Sequence, residues 1–555
     1  MGRVSHLESA IDGTVLPART LQSVHAGRPL WVRYDLPALA AQWHAGRWRC
    51  SLATRESSLW RYRELLPVED EADIVSLGET MTPLIDCPRL ARHCHVARLL
   101  VKDESRLPTG SFKARGMALA VSMAKALGVT RVALPTAGNA GGALAAYAAR
   151  AGMEAWVFMP EDTPAVNRCE AALFGAHAFT VDGLITDCGA IVREGAERGL
   201  WFDMSTLKEP YRIEGKKTMG LELAEQLDWK LPDVILYPTG GGTGLIGMWK
   251  AFGELAALRF LADPRMPRLY ACQSDGCAPI VAAFDKGERF GIEPAAPATI
   301  ASGLRVPKAL GDFMILDAVR ASGGCALVGF ESEIAEFMAT AMELEGISLC
   351  PESAVCLSAL RRGKAGFHIN KEETVVLFNT GAAQKYVEVM EAKTGALPRL
   401  DKRAVDWSAI ETAGRTSGGA QRRGATPGGR TFALTAFEKA GLDMLLAGEG
   451  PALEILRRQA AACSVTERSF TGCGFFTELS VPADCELIPS RSRLVFSEVV
   501  GTIDGFEPQI GFLLFGGDGK LQTLECYVFG DGWPERVESW KLRYFTDDEP
   551  RRRGL

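Results

Sequence analysis

Residues 131–152 read RVALPTAGNAGGALAAYAARAG, and within this run the chain changes from a strand pattern to a helix pattern. The apolar residues 132–134 predict a short buried strand, and the alanine-rich stretch after them predicts a helix that ends near Gly152. The same succession recurs between about residues 97 and 320, with Gly, Pro, Asn or Asp at each change. Such alternation is typical of βα units, so we expect an α/β fold built on parallel sheets.

The length and composition of the chain limit its class. It has 555 residues, of which 47% are hydrophobic and 23% are charged, and its formal net charge is −6. This length predicts more than one domain, and the near-neutral balance gives no reason to expect nucleic acid as a partner. No run approaches the ~20 apolar residues of a membrane helix, and the N-terminus lacks an apolar export segment. We therefore predict a soluble, cytoplasmic protein that does not bind membranes.

A stretch rich in Gly, Ser, Thr and Arg between about residues 410 and 430 divides the chain. Its composition cannot bury enough apolar surface to offset chain entropy, which predicts a flexible linker. A helical pattern and then strand patterns follow, with a hairpin signal at residues 516–519, so we expect a C-terminal α+β module with a structural or interaction role. The predicted boundaries are an N-terminal segment at 1–70, a main domain at 71–400, the linker at 401–430 and the C-terminal domain at 431–555.

The first candidate for chemistry is a lysine in KDESRLPTGSFKARG, residues 102–116. Ser111 is predicted to cap the following helix, which places Lys113 in its first turn. The positive end of the helix dipole and partial burial both disfavour an ammonium there, and a lysine with a lowered pKa suits Schiff-base chemistry. On the local pattern alone, the alternative of a solvent-facing helix lysine is favoured.

Two glycine-rich loops each follow a predicted strand. In TAGNAGG, residues 136–142, small side chains let backbone N–H groups and the Asn139 amide approach a ligand, although any βα turn tolerates such residues. In GGGTG, residues 240–244, successive N–H groups at a helix N-terminus form an anion site suited to a phosphate. Extended to Gly247, this loop also fits the dinucleotide pattern G-x-G-x-x-G, but it lies late in the sheet succession, so nicotinamide is the weaker candidate ligand.

Together these three stretches resemble, in order and spacing, the fold-type II pyridoxal-phosphate enzymes, and most closely the threonine synthases. The resemblance covers roughly residues 28–395. It includes the further stretches RPLWVRYDL at 28–36, LWRYR at 59–63, GETMTPL at 78–84, RIEGKKT at 212–218, IASGLRVP at 300–307 and NTG at 379–381. It implies a catalytic domain at 71–400 with two open parallel-sheet subdomains, to which the α+β module is added, and pyridoxal 5'-phosphate as cofactor.

The resemblance also implies roles for individual residues. Lys113 resembles the lysine that forms the internal aldimine, and Asn139 the residue that hydrogen-bonds the pyridoxal O3'. Thr380 resembles the residue whose hydroxyl meets the pyridine nitrogen. Arg212 and Thr136 resemble residues that bind the substrate. The phosphate cup corresponds to Gly240, Gly241, Gly242, Thr243 and Gly244. Taken without the resemblance, Thr380 could be a plain turn hydroxyl and Arg212 part of a surface ion pair.

The activity implied is that of a threonine synthase, in which O-phospho-L-homoserine and water give L-threonine and phosphate. Two alternatives stay open. One is another lyase of the same cofactor class, such as a serine/threonine dehydratase or a diamino acid ammonia-lyase, and the other is a non-catalytic pyridoxal-binding regulatory protein. The expected partner is a small amino-acid substrate, and a homodimer is one option for the assembly.

The sequence departs from the family pattern in two places. Many threonine synthases begin with a zinc-ribbon-like segment that has two C-x-x-C-G knuckles. The corresponding ligand positions here are Ser9, Asp12, Ser23 and Ala26. No thiolate occupies them, so we predict no metal. The second departure is Ala140 after Asn139, together with GAAQ at 381–384, and it bears on the substrate while leaving the cofactor loops intact.

Overall fold

The computed structural model describes residues 4–363, 369–370, 372–394, 407, 433–470, 474–488, 494–529, 533–534, 537 and 539–544. The chain divides into two compact units. The first consists of Met1–Phe367 with Glu372–Ala396, and the second of His368–Lys371 with Leu397–Leu555. Apart from Trp407, the predicted linker at 401–430 lies outside the described residues.

The strands and helices of the first unit alternate along most of its length. Its strands are β1 (Val4–Ser9), β2 (Val15–Leu16), β3 (Leu30–Tyr34), β4 (Leu84–Asp86), β5 (Arg98–Asp103), β6 (Arg131–Pro135), β7 (Glu154–Pro160), β8 (His177–Val181), β9 (Phe202–Asp203), β10 (Val234–Pro238), β11 (Arg268–Ser274), β12 (Cys325–Gly329) and β13 (Thr374–Asn379). Its helices are α1 (Leu36–Gln42), α2 (Ala45–Leu52), α3 (Pro88–His93), α4 (Lys113–Ala126), α5 (Ala140–Ala151), α6 (Ala165–Leu173), α7 (Ile185–Glu197), α8 (Tyr211–Gln226), α9 (Thr243–Ala257), α10 (Pro279–Asp285), α11 (Asp312–Ala321), α12 (Ile334–Glu345), α13 (Pro351–Arg362) and α14 (Val387–Thr394).

Two sheets with parallel strands confirm the predicted fold class. The larger runs in the order β12-β11-β10-β13-β5-β4, and within it only the edge pair of β4 with β5 is antiparallel. The smaller runs β8-β7-β6-β9 and is parallel throughout. Parallel strands need long crossover connections, and helices supply these and cover the sheets. Strand β10 is accordingly apolar and buried at every residue.

The run at residues 131–152 forms the unit that its pattern predicts. Strand β6 pairs on both sides with parallel strands, and α5 follows after a four-residue loop. Gly152 ends the helix with a φ of +69°, a backbone conformation that costs glycine nothing and disfavours residues with a Cβ. The sequence therefore specified this strand, its helix and the end of that helix.

The N-terminal segment forms a small antiparallel sheet in the order β2-β1-β3. The two glycines of the degenerate knuckles keep a left-handed backbone, with φ of +75° at Gly13 and +70° at Gly27. Asp12 and His25, one in each turn, approach to 3.8 Å. No group of three or more His, Cys, Asp or Glu side chains in the described part of the chain is arranged to hold a metal, and the absence of zinc stays a prediction.

The second unit is an α+β module, as the sequence predicts. Its elements are α15 (Ala436–Leu445), α16 (Pro451–Ala462), β14 (Ser464–Phe470), β15 (Gly474–Ser480), β16 (Leu494–Ile503), β17 (Phe506–Gly517), β18 (Lys520–Val528) and β19 (Trp540–Tyr544). The strands form one antiparallel sheet in the order β14-β15-β18-β17-β16-β19. The predicted hairpin joins β17 to β18 through Asp518 and Gly519, both with positive φ. A core of its own, with Phe437, Leu442 and Phe512, holds the helices to the sheet.

Within the described ranges, no helix of either unit combines the length and apolar character that a bilayer crossing requires.

Candidate active site

The loops predicted to carry chemistry meet at one end of the two parallel sheets. They are residues 104–112 after β5, 136–139 after β6, 239–242 after β10 and 380–386 after β13. Each follows the carboxyl end of a strand, where open α/β sheets bind their ligands. The Phe112 N–H donates to the Thr380 carbonyl at 3.0 Å, and the Asn139 Nδ2 donates to the Tyr386 hydroxyl at 3.4 Å. The fold therefore brings segments from distant parts of the chain into one site.

Lys113 is the first residue of α4, but the prediction that Ser111 caps this helix is wrong. Phe112 occupies the N-cap position, and the buried Ser111 hydroxyl has no hydrogen-bond partner among the described residues. The Ser111 carbonyl, and not its hydroxyl, accepts the Ala114 N–H, and the Ser111 backbone also pairs with Gly381. The hydroxyl is left free for a ligand.

The electrostatic environment of Lys113 disfavours the charged form of its amine. Its side chain is half-buried, and its Nζ lies 4.7 Å from the centre of the Phe112 ring. Burial and, next, the Arg212 guanidinium lower the pKa of Lys113 to about 8, while the Glu352 carboxylate opposes the shift. An amine with this pKa is a nucleophile and a base near neutral pH.

A second buried lysine lies beside the first. The Lys216 Nζ is 3.9 Å from the centre of the same Phe112 ring and donates to the Phe112 carbonyl. Burial, followed by the charges of Lys113 and Arg212, lowers the pKa of Lys216 far below its ordinary value. The sequence offered no reason to single out Lys216, because its neighbourhood depends on α4 packing against α8.

The asparagine loop is held in shape by its own threonine. The Thr136 hydroxyl donates to the Gly138 carbonyl at 2.9 Å and accepts the Gly138 N–H at 3.0 Å. Since a hydroxyl has a single hydrogen, that of Thr136 is used within the loop. Asn139 directly precedes α5, and Asn167 Nδ2 donates to its Oδ1 at 3.2 Å. Thr136 thus stabilises the loop that presents Asn139.

The turn at 240–244 leads from β10 into α9 through backbone that requires glycine. Gly242 has a φ of +71° and occupies the N-cap position of α9. A Cβ on Gly244 would lie 1.8 Å from the Tyr237 hydroxyl oxygen, and one on Gly240 would lie 2.4 Å from the Gly303 carbonyl oxygen. The first N–H groups of a helix have no acceptor within it, so this turn can bind an anion.

Thr380 lies at the carboxyl end of β13 and is buried. Its N–H donates to the Ser353 hydroxyl at 3.0 Å, and its Oγ1 is 3.6 Å from the Cys350 sulfur. Burial raises the pKa of Cys350 to about 12, so the sulfur is a neutral thiol. The Thr380 hydroxyl therefore faces no competing charge from Cys350.

Arg212 is a buried guanidinium and not part of a surface ion pair. The residue is 2% exposed, and its Nη1 donates to the Met204 carbonyl at 2.9 Å. Its Nε has no hydrogen-bond partner, and it forms no ion pair with a carboxylate within the described residues. Glu209 accepts the backbone N–H of Arg212 instead, at 2.9 Å. A buried cation with donors to spare is suited to an anionic ligand.

In the part of the chain that the structure describes, buried polar atoms without a protein partner concentrate in these loops and in the residues packed against them. They include Thr109 Oγ1, Ser111 Oγ, Thr163 Oγ1, Asn167 Oδ1, Arg212 Nε, Tyr237 Oη, Ser302 Oγ and Glu352 Oε2. Most buried polar atoms in folded proteins are hydrogen-bonded, so a cluster of exceptions needs a cause. A polar ligand bound among the loops would satisfy them.

Known proteins resemble the part of the chain that carries this site. The sequence pattern of the family described as "Pyridoxal-phosphate dependent enzyme" matches residues 75–381. The threonine synthase of Methanocaldococcus jannaschii is 36% identical over 335 residues, which are 60% of this chain and 82% of that protein. The threonine synthase of Methanosarcina acetivorans is 35% identical over 355 residues, covering 63% of this chain and 86% of that one.

A solved structure of Escherichia coli diaminopropionate ammonia lyase is also similar, with a TM-score of 0.49 and 20% identity. The matched region covers 60% of this chain and 96% of the ammonia lyase chain. The family match ends at residue 381, so the α+β module lies beyond it.

Proposed function

The chain belongs to the family of pyridoxal-phosphate-dependent enzymes, and we propose that it is a threonine synthase, which converts O-phospho-L-homoserine and water to L-threonine and phosphate. The observation that carries the proposal is Arg212, a buried guanidinium with an unpartnered Nε beside Lys113. A planar, permanently charged group of this kind binds the phosphate of a small substrate well. The similarity to threonine synthases supports the same reading.

The residues around Lys113 fit the cofactor. The amine of Lys113 would bind the cofactor aldehyde, and the N–H groups of the turn at 240–244 would hold its phosphate. The Asn139 amide would bind the ring hydroxyl, and the Thr380 hydroxyl the ring nitrogen. The unpartnered polar atoms of the site support this assignment, because a ligand rich in oxygen and nitrogen would give them partners.

The chemistry divides between the cofactor and the chain. When bound, pyridoxal phosphate supplies a conjugated ring that stabilises negative charge on the adjoining substrate carbons. Lys113, whose pKa is about 8, can hold the α-proton of the substrate at Nζ and deliver it to another carbon. Thr380 contributes a neutral hydroxyl and does not hold a positive charge on the ring nitrogen, which moderates the electron demand of the ring.

Arg212 would act on the leaving group. As the bond between Cγ and the phosphate oxygen breaks, negative charge increases on the phosphate. A buried guanidinium neutralises this charge more effectively than an exposed one, because little water is present to screen it. Water then supplies the hydroxyl that threonine carries on Cβ, and the phosphate is released.

A lyase that eliminates a β-substituent from serine, threonine or a diamino acid is the second candidate. The asparagine loop favours it, because the only hydrogen of the Thr136 hydroxyl is used on Gly138 and the residue after Asn139 is Ala140. This loop therefore offers a substrate phosphate fewer donors than a loop with free hydroxyls would.

Product analysis separates these functions. The purified full chain, loaded with cofactor, is assayed with O-phospho-L-homoserine and separately with serine, threonine and 2,3-diaminopropionate. We expect equal amounts of phosphate and threonine from the first substrate and no keto acid from the others. Keto-acid release without phosphate release would replace the proposal with the lyase. Cofactor binding without turnover of any substrate would favour a regulatory protein.

Arg212→Gln tests the phosphate site itself. We expect kcat/KM for O-phospho-L-homoserine to fall about 10- to 100-fold, which corresponds to one hydrogen bond to a charged group. KM should rise because the substrate phosphate loses a contact, and kcat should fall because the leaving phosphate is less stabilised. Arg198→Gln is the matched control, because Arg198 lies outside the site loops, is exposed and pairs with the exposed Glu194. An unchanged KM in Arg212→Gln would remove Arg212 from substrate binding.

A further inference from the structure

Glu352 is a buried carboxylate for which the proposed reaction gives no role. It lies in the first turn of α13 and is 5% exposed. Its Oε1 accepts the Gly303 N–H at 2.9 Å and the Tyr386 hydroxyl at 2.5 Å, whereas its Oε2 is buried and has no hydrogen-bond partner among the residues that the structure describes. A buried charge with an unused oxygen costs free energy, so its presence calls for an explanation beyond packing.

The Tyr386 hydroxyl transmits the effect of this carboxylate to the asparagine loop. Burial, and next the charge of Glu352, raise the pKa of Tyr386 far above its ordinary value, so the phenol keeps its proton. That single hydrogen goes to Glu352, and only lone pairs remain for Asn139. The Asn139 group 3.4 Å from the Tyr386 oxygen must then be the N–H donor Nδ2.

The opposite side of the Asn139 amide is fixed as well. Asn167 Nδ2 donates to Asn139 Oδ1 at 3.2 Å, a bond that requires the same orientation of the Asn139 amide. Gly381 makes room, because a Cβ there would lie 3.2 Å from Asn139 Nδ2. With one N–H used on Tyr386 and the carbonyl used on Asn167, one N–H of Asn139 remains for a ligand.

We propose that Glu352 is a positioning residue for the cofactor: through the Tyr386 hydroxyl it orients the Asn139 amide so that one N–H is presented to the bound ring. The role goes beyond the proposed function, since it applies whichever amino acid is the substrate. Glu352 acts through Tyr386 and Asn139, and its effect is on how tightly the cofactor is held.

The test is a double-mutant cycle in which the measured quantity is the affinity for the cofactor. The apoprotein of the full chain is titrated with pyridoxal 5'-phosphate, and cofactor binding is followed by absorbance. The variants are Glu352→Ala, Tyr386→Phe, Asn139→Ala and the two double variants that combine Asn139→Ala with each of the other substitutions. Each single substitution should weaken binding about tenfold, the value of one hydrogen bond. In the Asn139→Ala background, Tyr386→Phe should have no further effect, because the group that it orients is gone. Glu352→Ala should keep only the change that follows from its charge near Lys113, which raises the pKa of that amine.

A purely structural Glu352 would behave differently. It would weaken cofactor binding equally with and without Asn139, or lower the thermal midpoint while leaving affinity unchanged, and either result overturns the proposal. Ser358→Ala is the control for α13, because that buried hydroxyl accepts the Phe330 N–H. If Glu352→Ala does not fold, the proposal is tested with Tyr386→Phe, by comparing its effect on cofactor affinity in the presence of Asn139 and in the Asn139→Ala background. No amino-acid substrate is used, so failure here is distinguishable from failure of the threonine synthase proposal.

Discussion

Lys113 differs from an ordinary lysine because burial and the nearby Arg212 disfavour its charged form. Only the neutral amine attacks the cofactor aldehyde. We therefore expect the rate of covalent cofactor capture by the apoprotein to rise with pH through about 8 and to level off above it, and not to continue toward the ordinary pKa of 10.5. Stopped-flow absorbance at a series of pH values measures this profile.

Arg212→Gln should move the midpoint of this profile to higher pH, because the substitution removes a positive charge that lowers the pKa of Lys113. Lys113→Ala, which has no amine at this position, is the control and should show no covalent capture. A midpoint near 10 in the unchanged chain, or a downward shift in Arg212→Gln, would contradict the environment described for Lys113.

Gly244 and Gly253 lie on the same helix, and we expect opposite effects when each is replaced by alanine. A Cβ on Gly244 would meet the Tyr237 hydroxyl oxygen at 1.8 Å, whereas one on Gly253 would have nothing within 4 Å. Gly244→Ala should displace the start of α9 and lower both thermal stability and cofactor affinity. Gly253→Ala should stabilise the protein by up to about 1 kcal/mol, since alanine is the better helix former. Equal effects of the two substitutions would refute the argument.

A buried ionic network joins α4 and α8 to β5. Arg115 on α4 donates to both oxygens of Glu222 on α8, at 2.6 and 2.8 Å, and Lys102 on β5 donates to Glu222 at 2.8 Å. All three side chains are fully buried. Burial alone would raise the pKa of Glu222, but Arg115 and Lys102 outweigh it and lower that pKa to about 2.

Removing the central carboxylate should destabilise the first unit strongly. We expect Glu222→Gln to lower the free energy of unfolding by about 3–5 kcal/mol, because two buried cations lose a shared partner. Urea unfolding followed by circular dichroism measures the change. Glu71→Ala is the control: it breaks the exposed pair with Arg63, and such pairs contribute about 0–1 kcal/mol. Similar losses for the two variants would contradict the network.

The same carboxylate predicts a pH dependence of stability. Its pKa is lower in the folded chain than the ordinary value of 4.5, so its contribution is complete above that value. The contribution should then be lost as pH falls from about 4.5 toward about 2. In Glu222→Gln, stability should fall less over this range than in the unchanged chain.

Local elements followed from local sequence with few errors. The pattern at 131–152 predicted β6, α5 and the end of α5 at Gly152, and residues 516–519 predicted the hairpin between β17 and β18. Ser111 is the instructive error. Its type and position suit an N-cap, but Phe112 occupies the N-cap position and the Ser111 hydroxyl makes no hydrogen bond within the described residues. The residue type alone does not decide whether a hydroxyl makes the capping bond.

The molecule as a whole consists of two units with separate cores. Hydrophobic residues of 433–544 cluster among themselves, and the family match ends at residue 381. We therefore expect residues 431–555, expressed alone, to unfold cooperatively in a thermal melt with the circular dichroism of an antiparallel sheet. The chain ending at residue 400 should keep the cofactor affinity and the kcat/KM of the full chain. A truncated chain without cofactor binding would show that the module supports the catalytic unit.

The sequence by itself determined the alternation of strands and helices, the division of the chain and the choice of Lys113 as the lysine proposed to react with the cofactor. Those features depend on short-range properties such as hydrophobic periodicity, glycine conformation and recognisable runs of residues. Only the tertiary structure decided that the Thr136 hydroxyl donates its hydrogen within its own loop and that Glu352 is linked to Asn139 through Tyr386. It also decided that Arg212 is buried with no carboxylate paired to it among the described residues. The reason is that burial, pKa and the direction of a hydrogen bond depend on groups that are distant along the chain and adjacent only after folding.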